Sequence, residues 1–196
     1  MNLPIYEMQI SEDLASDLEV QYVALVDKPA IEKNFLAFRD KQSFAIINED
    51  RRIISGAAML ANVPIYRKDE QNGEYMVVFR PATIYDIAQK FFAKGFNNNF
   101  NLMHDPNMKC EGVTVFESFI SDKTRGIQPM KGFEDAQDGS WFISAKVNND
   151  QVWQLIKEGR VKGFSVEGMF SYKKELSKEE SMLQQVYDIL NGITEP

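Results

Sequence analysis

The chain has 196 residues, 44 % of them hydrophobic and 26 % charged, with a formal net charge of −7. That suits one globular domain and speaks against nucleic-acid binding, because phosphate recognition rests on clustered Lys and Arg and no such cluster occurs. One cysteine, Cys110, excludes an intrachain disulfide and fits a reducing compartment; one histidine, His104, leaves no zinc site built from several His or Cys ligands.

The acidic N-terminus does not read as a signal peptide, and no apolar run approaches the ~18 residues of a membrane span. A cytosolic protein, the cytosol of a host cell included, is therefore expected, with no membrane partner. No cofactor is implied. A carboxylate-only Mg or Ca site is not excluded by composition, but the chain has no D-x-[DN]-x-[DN]-G loop.

In chain order, short apolar or alternating runs predict strands at Ile5 to Gln9, Gln21 to Val26, Ser43 to Ile47 and within Arg52 to Pro64. The polar turn Asp69 to Gly73 predicts a hairpin into Tyr75 to Phe79. Ile84, Ile87, Ala88, Phe91 and Phe92 share one helix face, with Thr83 and Asp86 as a capping pair and Gly95 as the stop. Phe100 to His104 reads as a short strand closed by Asp105 and Pro106, and Val113 to Ile120 as an alternating strand. The polar stretch Ser121 to Gly139 reads as a long exposed loop.

Ser140 to Val147 is a further strand, Asn149 caps a short helix ended by Gly159, and Gly163 to Tyr172 returns to strand. An S-x-x-E box at Ser177 and Glu180 opens an amphipathic C-terminal helix at about 177–191. The expected fold class is mainly β with helices (α+β): one domain over 1–196, a barrel or sandwich decorated by about three helices.

Three constellations carry chemistry. His104 lies at a strand end, and imidazole titrates near neutrality, so it is the default general base; a lone surface histidine is the bland alternative. Ser165 stands between Gly163 and Gly168 on an apolar strand, where backbone N–H groups can hold an oxyanion, although Glu167 replaces the second glycine of a G-x-S-x-G elbow. Glycines serving a bulge explain that segment equally well.

Glu117 shares a strand face with Val113, Val115 and Phe119, and a carboxylate buried there requires a partner such as an imidazole; an edge-strand Glu facing water is the alternative. A Ser–Lys dyad with Lys162 is discounted, because three residues along a strand place it on the face opposite Ser165.

Taken in order, these segments resemble the phage prohead (head-maturation) serine proteases, in the branch found in phage-like elements of bacterial genomes. The matching pieces are Val23-Ala-Leu-Val-Asp-Lys-Pro-Ala30, Asn101-Leu-Met-His104, Val115-Phe-Glu-Ser-Phe-Ile120, the run from Asp138 through Trp141 to Gly159, and Gly163-Phe-Ser-Val-Glu-Gly168. The resemblance is strongest from Asn101 to Gly168. It implies a β-barrel ringed by helices, similar to the herpesvirus assemblins.

It also implies a serine endopeptidase with Ser165 as nucleophile and His104 as base. The third member is a carboxylate: Glu117, at the family's V-x-E-S position, with Glu167, on the same strand face as Ser165, as runner-up and Glu175 a further alternative. The implied substrates are phage scaffolding and major capsid proteins and the protease itself, cut inside the assembling procapsid. The assemblin-like fold further suggests a homodimer through the last helix, with a helix that only covers the barrel as the equal alternative. The rivals are a catalytically inactive structural phage-particle protein retaining the fold, and an unrelated β-rich binding module.

Overall fold

A computed structural model describes residues 3–27 and 45–175, and residue 182. Twelve strands and two α-helices make up the described residues: β1 (Ile5–Gln9), β2 (Val20–Val26), β3 (Ala45–Asn48), β4 (Ile53–Met59), β5 (Ile65–Asp69), β6 (Gly73–Val78), α1 (Pro81–Ala93), β7 (Phe100–Leu102), β8 (Asp105–Lys109), β9 (Val113–Ile120), β10 (Trp141–Val147), α2 (Asp150–Lys157), β11 (Gly163–Gly168) and β12 (Ser171–Lys174). The predicted third helix at 177–191 and Lys28 to Ala30 of the N-terminal motif lie outside the described residues.

The expected closed barrel is not what forms. Among the described residues the strands make three four-stranded sheets, in the orders β12-β1-β6-β5, β3-β4-β10-β9 and β11-β2-β7-β8. The class remains mainly β with helices. Two parallel pairs, β1 with β6 and β2 with β7, sit inside otherwise antiparallel sheets. Each requires a crossover, and α1 lies in the connection from β6 to β7.

The core forms where sheet faces and α1 meet. Phe91, Ile84 and Ile87 of α1 are fully buried with Trp141, Ile143, Phe100, Leu25 and Ile54 from the sheets, and Phe91 meets Trp141 edge-on at 5.6 Å. Burying each such side chain contributes roughly 1.5–3 kcal/mol. Ile84, Ile87, Ala88 and Phe91 of α1 are buried as the apolar spacing predicts, whereas Phe92 of that face is exposed and the helix starts elsewhere. Pro81 takes the first helical position and Arg80 is the cap residue, with no side-chain cap bond, so Thr83 and Asp86 do not cap it. Proline suits that position because its missing N–H would have been unpaired there. The Asn149 cap of α2 is as predicted, its side chain accepting from the Val152 N–H.

Two other segments depart from the linear reading. The stretch Ser121 to Gly139 contains a 3-10 turn at Lys123–Arg125 and is anchored by Phe133 and Ala136, which pack with Leu60 and Phe142 in a second apolar cluster. A polar average concealed its two apolar anchors. The run Gly163 to Tyr172 is broken at Met169 and Phe170 into β11 and β12, which belong to different sheets. Gly168 makes the break possible: a Cβ there would lie 2.0 Å from the Glu19 carbonyl oxygen, so only glycine lets β11 approach the start of β2.

Candidate active site

Ser165 sits on β11, an edge of its sheet, in register with Ala24 of the neighbouring β2, which in turn faces Asn101 of β7. Side chains directly opposite across a ladder point to the same face. Ser165, Ala24 and Asn101 thus form one row, while Phe164, Val23, Leu25 and Phe100 face the core. Ala24 is fully buried and small, which leaves room for longer side chains to meet over it.

His104 is not on a strand, as expected, but in the turn joining β7 to β8. Leu102 pairs with Asp105, and the two residues between them, Met103 and His104, both have left-handed φ values, +54° and +60°. Two central residues with positive φ are the signature of a type I′ hairpin turn, which favours Asn and Gly. Holding non-glycine residues there costs on the order of 1–3 kcal/mol each and persists only where surrounding structure enforces it. Here β2 enforces it: the Met103 N–H donates to the Leu25 carbonyl at 3.0 Å and Met103 Sδ accepts from the Asp27 N–H at 3.4 Å. The strain therefore sits at Met103 and at the chain's single histidine.

The turn brings the imidazole over β11. His104 Nδ1 lies 3.2 Å from Glu167 Oε2, and both side chains are partly open to solvent. The same oxygen accepts from Asn101 Nδ2 at 2.9 Å. Asn101 is 1 % exposed, and among the described residues its Oδ1 is buried without a hydrogen-bond partner.

Ser165, His104 and Glu167 line one cavity of about 370 Å³ where the three sheets meet. Ser165 itself is 6 % exposed. Pairing along the β11 ladder holds its backbone, so its position is set by the sheet.

Glu117 lies elsewhere. It is on β9, at the edge of a different sheet, exposed, and its Oε2 accepts from Ser144 Oγ at 2.5 Å. Ser144 in turn accepts from Ser55 Oγ at 2.8 Å. A register shift between Ser144 and Ala145 interrupts the alternation of β9, so Glu117 does not continue the buried face of Val113 and Val115. Glu175 pairs with Arg80, and Lys162 is exposed just before β11. None of these three lines the cavity.

Cys110 is buried, and burial pushes its thiol up to about 11, which keeps it protonated and non-nucleophilic at neutral pH. Among the described residues no three His, Cys, Asp or Glu side chains converge on a metal-sized position, and no helix is long and apolar enough to cross a membrane. Sequence reasoning gave Asn101 no role. The available signal was a polar residue between two apolar ones on a short strand, the buried Phe100 and the partly buried Leu102.

A family model described as "Putative phage serine protease XkdF" matches residues 43–173. The chain belongs to that family. The match spans β3 to β12 except the last residue of β12, and so includes every side chain of the Ser165 cavity apart from Met8.

This phage serine protease family member is also similar to "Uncharacterized protein YqbD" of Bacillus subtilis (strain 168), at 25 % identity over 187 residues. The alignment covers 89 % of this chain and 53 % of the relative, so the chain spans about half the length of that curated protein. No solved structure matches the chain.

Proposed function

We propose that this family member is an active serine endopeptidase of phage head maturation, with Ser165 as nucleophile, His104 as general base and Glu167 as the residue that orients it. One observation carries the reading: Ser165, His104 and Glu167 face one cavity while His104 Nδ1 meets the Glu167 carboxylate. With Nδ1–H donated to Glu167, Nε2 is left unprotonated and able to take the Ser165 proton. The Ser165 hydroxyl attacks the scissile carbonyl; the imidazolium, stabilised by Glu167, then passes the proton to the leaving amine; water repeats the sequence to release the acyl group. Backbone N–H groups at the cavity stabilise the oxyanion.

Asn101 completes the set as a positioning residue. Its Nδ2 holds the Oε2 atom that His104 uses, at the expense of an unpaired Oδ1. An orphaned buried acceptor costs about 1–3 kcal/mol, which fits an amide whose orientation is dictated by Glu167 rather than by its own satisfaction. The substrates proposed are scaffolding protein, major capsid protein and the chain itself, cleaved in the host cytoplasm inside the assembling procapsid, with a homodimer as the form of the enzyme.

A serine-directed fluorophosphonate tests the nucleophile. It is expected to add once, at Ser165, as read by intact mass and peptide mapping, and His104→Gln should slow labelling by roughly 10²–10⁴-fold. Unlabelled wild-type protein, assembled with its phage partners, would instead favour the inactive structural relative. The choice of carboxylate is tested by kinetics. Glu167→Gln should lower kcat by up to roughly 10⁴-fold with little change in KM, because the wrong histidine tautomer is then favoured. Glu117→Gln should leave kcat unchanged; the opposite pattern would return the third position to Glu117.

A further inference from the structure

The cavity beside Ser165 has a chemistry of its own. Met8 of β1, Met59 of β4, Ile65 of β5, Phe79 and Phe170 make its walls apolar. Its volume of about 370 Å³ falls in the range of ligand pockets, roughly 300–1,000 Å³. Three charge-bearing side chains reach it, Arg67, His104 and Glu167. Glu167 is engaged by His104 and Asn101. Arg67 donates to its neighbour's Tyr66 carbonyl and has no carboxylate partner among the described residues. Arg67 and Glu167 therefore bring one charge of each sign to an otherwise apolar chamber.

We propose that this cavity is the specificity pocket of the peptidase, holding a large apolar side chain (Leu, Met or Phe) of the substrate residue that flanks the scissile bond and rejecting charged side chains. The inference rests on the serine-peptidase reading above, since Ser165 is itself part of the cavity lining. The physical reasons are independent of that reading. Apolar walls favour apolar surface in proportion to the area removed from water. The polarizable, unbranched Met8 and Met59 adapt to several side-chain shapes, so a class of residues is accepted and not one. A charged side chain of either sign would lose its hydration among these apolar walls and would meet a like charge there, Arg67 or Glu167. Space for the occupant comes from Ala57 and Ala58, two small residues of β4 on the cavity wall.

Two assays test this with different proteins. In the first, wild-type protein is incubated with a proteome-derived peptide library and the new ends are sequenced. One position flanking the cut should show Leu, Met or Phe favoured over Ala by roughly 10–200-fold, with charged residues depleted.

In the second, immobilised Ser165→Ala protein captures peptides from the same library without cutting them. The retained peptides should show the same enrichment, and Ala58→Leu in that background should abolish it by filling the chamber. Phe170→Ala, which enlarges the chamber, should extend the preference to larger residues and serves if Ala58→Leu does not fold. Cleavage without preference, or with a preference for small or charged residues, overturns the pocket and leaves the peptidase standing. Selective capture without any cleavage keeps the pocket and removes the peptidase. Unselective capture together with no cleavage overturns both.

Discussion

On the peptidase reading proposed above, replacement of Ser165 by alanine is expected to end cleavage of the proposed scaffolding and capsid substrates while leaving the fold intact. The variant removes one oxygen and nothing else. Ser165 is held by the backbone ladder between β11 and β2, and its register partner is already an alanine, Ala24, so the sheet accommodates a methyl at that row. The lost hydroxyl is a single atom at the wall of an existing cavity, so the void it adds is small.

The catalytic loss is set by chemistry. With no nucleophile there is no acyl-enzyme, and knocking out the nucleophile of a serine protease lowers kcat by roughly 10⁶-fold. Intact-mass analysis of the assembled partners, wild type beside variant, reads the result directly. Retained cleavage at the same sites in Ser165→Ala protein would sink the assignment of Ser165, whichever residue then proved responsible.

The largest expected effect on stability lies far from that site, at Lys90 of α1. Its side chain is 4 % exposed, and its ammonium donates to the carbonyls of Ser11, Asp13, Ser16 and Leu18 at 2.9, 2.6, 2.9 and 3.4 Å. It also lies 3.5 Å from Oε2 of Glu19, whose side chain is 2 % exposed and bonded to Lys94 at 2.5 Å. Between Ser11 and Leu18 no residue is fully buried. The segment has no apolar anchor, and the ammonium supplies one by satisfying four carbonyls with three shared N–H donors.

Lys90→Met keeps the length and apolar stem but removes the charge, leaving Glu19 with one cation. We expect a loss of about 3–5 kcal/mol, the range for breaking a buried pair on one side. Lys90→Arg should rescue little, since a planar fork does not match four converging carbonyls. Urea unfolding at pH 7 measures the loss, and faster amide exchange in residues 11–18 locates it; a shift under about 1 kcal/mol would refute this account of the segment.

The same cluster predicts a pH dependence. Burial pushes the Glu19 carboxyl up, but hydrogen bonds from Lys94 and Gln21 and the charges of Lys94 and Lys90 outweigh it and hold the group below its ordinary value of 4.5. A carboxylate held lower in the folded than in the unfolded chain stabilises the fold fully above the unfolded value. That contribution is lost as pH falls through the folded value. The stability difference between wild type and Lys90→Met should therefore narrow as pH drops below 4.5.

Much of this was legible in the chain because it depends on neighbours in sequence. Alternation and turn residues marked β1, β2, β9 and β10, the 3.6-residue spacing marked α1, and Asn149 marked the start of α2. The resemblance from Asn101 to Gly168 pointed to the phage serine protease family, to which the chain belongs. What failed was long-range. A barrel and three packed open sheets share the same strand patterns; closure depends on which edges meet, and no local signal encodes that.

The carboxylate beside His104 shows the same division. Strand alternation assigned Glu117 and Glu167 to plausible faces with equal ease. Their difference arises because β9 shifts register against β10 and gives Glu117 to Ser144, while the β7–β8 turn folds back over β11. That turn holds Met103 and His104 at positive φ, against their own preference, so sequence reasoning extended the strand through His104.

By itself, then, the sequence determined the β-rich class, the helices within residues 3–175 and the identity of the serine and histidine worth testing, because side-chain periodicity and caps are local physics. Only the tertiary structure decided that Glu167 and Asn101 surround His104, that the strands stay in three sheets, and that an apolar chamber opens beside Ser165. Those contacts join residues more than 60 positions apart, and their geometry depends on strand register and backbone strain that the whole fold imposes.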